Sequence, residues 1–137
     1  MASGIYDAAR ESFLKGEIDW ATDDIKCVLV DAGDYTADLN SDQFLDDIAA
    51  GGRVATSAVF SAKSTTAGVA DAADITFSSV TGDQCEALVI YQDTGTETTS
   101  RLIALLEDDK VTGLPVTPNG GDITVTWDSG ANKIFKL

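Results

Sequence analysis

The chain has 137 residues, with 23 Asp and Glu against nine Lys and Arg, a formal charge of −14 and no histidine. The missing imidazole excludes a His-ligated metal, a Ser-His-Asp or Cys-His nucleophile pair and a His general base, and so acid a surface repels the phosphate backbone and excludes a basic nucleic-acid footprint. At 14.3 kDa and 44% hydrophobic residues, one globular domain is expected, large enough to bury about two thirds of the surface of its unfolded chain.

In chain order, a short helix is predicted over residues 4–15. Ser3 would be its N-cap, Asp7 lies near its positive end, Lys15 near its negative end, and Gly16 supplies the stop. Ile5, Ala9 and Phe13 share one face. That face either docks on the core or forms an arm that packs on a neighbouring subunit. Residues 1–20 are therefore read as an N-terminal helix or arm, and 25–137 as a β-rich body.

The run IKCVLVDA (25–32) is apolar on both faces and fits a central, doubly covered strand. A second helix is predicted over about 42–50. Ser41 is its N-cap, Phe44, Leu45 and Ile48 its apolar face, and Gly51-Gly52 its end. From Arg53 the period becomes two. RVATSAVF, DITFSSV, CEALVIYQ and DITVTWDSG read as strands. RLIALLE (101–107) is ambiguous: its composition favours helix, its length and turn-rich flanks favour strand. Thr94–Thr99 reads as an exposed loop, and Ser129–Asn132 as the turn of a terminal hairpin between Trp127 and Ile134. No βαβ rhythm is present. The expected fold is mainly β, a β-sandwich or β-barrel-like domain with two short helices in the N-terminal third.

Cys27 and Cys85 sit in apolar runs and match no zinc or redox spacing, so buried free thiols are expected. Asp7, Arg10, Glu11 and Lys15 leave no apolar secretory segment at the start, and the longest apolar runs fall far short of the roughly 20 residues that span a bilayer. The acid pairs Asp23-Asp24, Asp46-Asp47 and Asp108-Asp109 do not converge by themselves. A carboxylate hydrolase needs two such groups facing across roughly 5–10 Å; Asp46 and Asp108 are the residues to test. Calcium is the other use of acid. Asp31–Asp38 and Asp71–Asp74 are candidate loops, but neither has the EF-hand pattern. Gly-rich phosphate loops are missing. The expectation is no catalytic residue, no bound cofactor and at most a weak calcium site.

The opening IYDAARESFLKGEIDWATDDIKCVLVDAGDYT, the middle VADAADITFSSVTGDQCEALVIYQDTGTETTSRLIAL and the ending GLPVTPNGGDITVTWDSGANKIFKL resemble a family of small tailed-bacteriophage virion proteins. EALVIYQDTGT and GLPVTPNGGDITVTWDSGANKIF are the most specific pieces. The resemblance covers nearly the whole chain and brings no catalytic motif. It implies a structural protein made in the host bacterial cytoplasm and carried on the capsid exterior. There it would be a decoration (cement) protein on the major capsid protein shell, a homotrimer by analogy with threefold sites, with no nucleic-acid or membrane partner. A tail-associated or receptor-binding module is the alternative. High negative charge suits a protein needed soluble in many copies and kept off DNA. The candidate interface comprises Ile5, Tyr6 and Phe13 of the first helix, Trp127, Ile134 and Phe135 near the end, and the cations Arg53 and Arg101, read as inter-subunit partners.

Overall fold

The computed structural model describes residues 3–137. The chain is mainly β, in several antiparallel sheets, with one α-helix near the N-terminus. The strands are β1 (Gly4–Ile5), β2 (Ile25–Val30), β3 (Arg53–Thr56), β4 (Val69–Ala70), β5 (Ile75–Phe77), β6 (Ala87–Gln92), β7 (Leu102–Leu106), β8 (Val111–Thr112), β9 (Ile123–Trp127) and β10 (Phe135–Lys136), with α1 at Asp7–Leu14. A five-stranded sheet runs β1-β7-β6-β2-β3, a three-stranded one β5-β9-β8, and a ribbon pairs β10 with β4. Among the described residues no sheet closes on itself, so a closed barrel does not form.

The core is centred on β2, β6 and β7. Register aligns Leu29, Leu88 and Leu106 in one row and Val28, Val89 and Leu105 in the next. Every side chain of β6 and β7 is buried, which explains why these runs are apolar throughout and do not alternate. The helix-favouring composition of 101–107 yields to this context. Placed between β1 and β6, the segment satisfies its backbone by pairing on both sides and buries all five strand residues. By contrast β9, in the smaller sheet, alternates cleanly: Ile123, Val125 and Trp127 are buried, Thr124 and Thr126 exposed.

An aromatic seam ties the sheets together. The ring of Phe13 meets Phe135 at 6.2 Å, Phe135 meets Trp20 at 5.3 Å, Trp20 meets Phe60 at 6.0 Å, and Phe60 meets Trp127 at 5.4 Å. Both indoles donate to carbonyls of the segment before β5, Trp20 to Asp71 O and Trp127 to Ala73 O. Both tryptophans are core anchors, with the polar edge satisfied as burial requires. Gly113 allows β8 to approach β9. Its φ is +116°, and a Cβ there would lie 2.9 Å from Thr124 O.

Three local expectations are corrected. Residues 4–5 are extended and pair with β7, so the helix starts only at Asp7. Ser3 is not its cap: the Ser3 hydroxyl accepts from Glu107 N and donates to Asp109. Tyr6 takes the N-cap position without a side-chain cap, and Asp7 N bonds Leu39 O instead. The second α-helix is absent, and Ser41 caps nothing helical. Two single 3₁₀ turns, Leu45–Asp47 and Ala50–Gly52, take its place. The reason is competition for amides: Leu45 N bonds Ser100 O, Leu102 N bonds Gln43 O, and Phe44 bridges Arg101 in extended conformation. Leu45 and Ile48 still reach the core. Lastly, the terminal hairpin does not form. After Trp127 the chain crosses to pair Phe135 with Ala70 and Lys136 with Val69. Both cysteines are free and buried as expected, and burial pushes the thiols up, Cys27 to about 12 and Cys85 to about 11.

Candidate interaction surface

The abundant acid has a local structural use. Among the described residues, ten aspartates accept main-chain amide hydrogen bonds. In five of them the carboxylate reaches the amide two residues on: Asp19 to Ala21, Asp31 to Gly33, Asp38 to Asn40, Asp93 to Gly95 and Asp128 to Gly130. This is the Asx turn, in which a short carboxylate replaces a backbone acceptor. Asp47 takes two amides, of Gln43 and Phe44, and Asp122 takes Ser79 N from across the small sheet. The carboxyls of Asp19, Asp38 and Asp93 are held below their ordinary values. The largest causes are hydrogen bonds from Thr22, Ser41 and Lys26 respectively, with backbone amides adding to each.

These shifts predict the acid response. A carboxylate with a depressed folded-state pKa adds stability above its unfolded value of about 3.9, and that stability is lost as pH falls through the folded value. No histidine titrates in between. The thermal midpoint should therefore stay level from pH 7 to about 5.5 and fall steeply below about 4. Calorimetry across that range checks this; a step between pH 5.5 and 7, or no loss by about pH 3, would contradict it.

The two arginines read as inter-subunit partners are held within the chain. Arg53 donates to both Glu97 oxygens, at 2.7 and 3.1 Å, and its Nε donates to Ile48 O. Glu97 belongs to the threonine-rich loop, which is thus clamped; Thr94, Thr99 and Ser100 add side-chain bonds inside it. Arg101 pairs with Glu17 at 3.3 Å and lies over the Phe44 ring at 5.8 Å. Neither needs a partner chain for charge neutralisation.

The apolar candidates separate by depth. Tyr6, Trp127 and Ile134 are buried in the core of the chain. Phe135 is 9% exposed and committed to the seam. Ile5 and Phe13 are half-buried and line clefts at the surface. A cleft of about 350 Å³ lies between Phe13, Trp20, Val69 and Leu137, and one of about 420 Å³ between Ile5, Phe13, Leu14 and Leu137. Sequence reasoning missed Leu14, which is 90% exposed; Leu137 is 60% exposed. The signal for Leu14 was available, since it falls off the face that Ala9 and Phe13 share on its own helix.

The acidic loops divide as well. Asp31 and Asp34 gather with Asp83, from a distant turn, their carboxylate oxygens within 4.8 Å of one another. Asp38 is not among them, and Asp74 serves Trp127 N. No helix among the described residues is long and apolar enough to cross a membrane. Comparison with protein-family models finds no match, and comparison with curated proteins finds none.

Proposed function

We propose that the chain is a non-enzymatic structural protein of a tailed-phage particle: a decoration (cement) protein that binds the outside of the major capsid protein shell and stabilises it. The observation that supports a structural role most directly is the employment of the acid. The residues most able to do chemistry serve as turn acceptors, and both arginines of the β portion clamp loops of their own chain. The stretches that carry the resemblance supply core and turns: Leu88, Ile90, Ile123, Val125 and Trp127 are buried. Such a body holds its surface rigid, which lowers the ordering cost of binding. The same reading takes the five-stranded and three-stranded sheets as the layers of a β-sandwich. The burial of β6 and β7 on both faces and the Phe60–Trp127 contact support it.

Purified particles test the assignment. Cryo-electron microscopy should find many copies outside the shell, and particles stripped of the protein should release DNA at lower temperature. A few copies confined to the tail would overturn it in favour of the tail-associated alternative.

A further inference from the structure

The side-chain amide of an asparagine is open to attack by the main-chain nitrogen of the next residue, which closes a cyclic imide. A Cβ on that next residue hinders the approach, and glycine has none. Asn40 precedes Ser41 and Asn132 precedes Lys133; of the chain's asparagines Asn119 alone precedes a glycine. Asn119, Gly120 and Gly121 are exposed, and a Cβ built on Gly120 would meet nothing within 4 Å, so water reaches the site.

The fold engages both reacting groups elsewhere. Gly120 N donates to Val80 O at 2.7 Å, and Asn119 Oδ1 accepts from Gly121 N at 2.9 Å. Val80 N in turn donates to Gly121 O at 2.9 Å, and Ser79 N donates to Asp122 Oδ1 at 2.9 Å. The turn is thus fastened to the segment after β5. Val80 is buried, so water competes poorly for its two main-chain bonds. The Gly120 nitrogen must shed its proton before it can attack, and a proton held on Val80 O is released only when the turn opens.

We infer that Asn119 is a site of self-modification that the Val80 contact holds latched. When the turn opens, the Gly120 nitrogen gives its proton to solvent and bonds to Asn119 Cγ. The Cγ–Nδ2 bond breaks, and the side-chain nitrogen takes up a proton and leaves as ammonia. Water then cleaves one of the two imide carbonyl bonds. One product is an ordinary aspartate, whose carboxylate still suits Gly121 N. The other routes the main chain through the side-chain carbonyl and frees the α-carboxylate, which lengthens the backbone and moves Gly120 N out of register with Val80 O. Either product adds a carboxylate to a chain of charge −14. This chemistry is independent of the virion reading.

Peptide mapping by mass spectrometry tests it on the full chain, held at mildly alkaline pH in buffer and in urea. In urea, Asn119 should convert about tenfold faster or more than Asn40 and Asn132, whose following residues carry a Cβ. In the native chain its conversion should be slower than in urea by about tenfold or more, because the turn must first open. Hydrogen exchange supplies the matching measurement: that slowing should equal the protection of the Gly120 amide. Asp122→Ala removes the Ser79 bond at an exposed position, and should speed native conversion and lower the Gly120 protection together. Asn119 no faster than Asn40 and Asn132 in urea overturns the site. Equal rates in buffer and urea overturn the latch, as does a rate that changes in Asp122→Ala while the Gly120 protection does not.

Discussion

Replacing Trp20 with alanine should destabilise the chain by about 3–5 kcal/mol, the usual loss for a buried large aromatic. Trp20 is the middle of the aromatic seam, edge-on to both Phe60 and Phe135 and 5% exposed. Its removal opens a cavity where α1, β10 and the segment after β3 meet. The hydrogen bond contributes less, because Asp71 O keeps a second donor in Ser64 N. Packing is therefore the term that decides the loss, and Trp20→Phe, which restores one ring, should recover about half of it. Against a total stability of about 5–15 kcal/mol for a domain of this size, the alanine variant would lie near the edge of folding. Urea denaturation monitored by circular dichroism measures both variants; a loss below about 1 kcal/mol for Trp20→Ala would mean that the seam is not a cohesive element.

The second large effect concerns a buried chain of hydroxyls. Tyr35 donates to Asp42 Oδ2 at 2.8 Å, so its oxygen must accept from Tyr6, also at 2.8 Å. Burial is the main cause that raises both phenols. Tyr35→Phe leaves the Tyr6 hydroxyl without an acceptor at a fully buried position, and should cost about 1–3 kcal/mol. Tyr6→Phe should cost less, because Tyr35 keeps Asp42 as its acceptor. Combining the two changes should cost less than the sum of the single losses, since the orphaned donor disappears along with its partner. Additive losses in the double-mutant cycle would show that the two hydroxyls do not act as a unit.

Tyr6 also illustrates the limit of reading a face from spacing. Its neighbour Ile5 was placed on the helical stripe with Ala9 and Phe13, but Ile5 is in β1, opposite Ala104. The unpaired edge of β7 attracts that segment, and nothing within residues 1–20 reveals this edge. The same holds for residues 42–50, where helical spacing was genuine but β7 and Ser100 claimed the amides. For the candidate interface, Arg53 and Arg101 were legible as unusual residues in an acid chain. Their partners Glu97 and Glu17 lie 44 and 84 residues away, out of reach of local reasoning.

Local chemistry determined the mainly β character, the burial of both cysteines, the alternation of β9 and the turns at Asp31, Asp93 and Asp128. Each depends on a period of two, an apolar run, or a carboxylate two residues from the amide it serves. Tertiary structure alone decided that β10 pairs with β4 and not with β9, that Ile134 faces the core, and that Leu14 and Leu137 stand together outside it. Those outcomes follow from competition among distant segments for the same hydrogen bonds and the same buried volume, and a chain read one window at a time does not contain that competition.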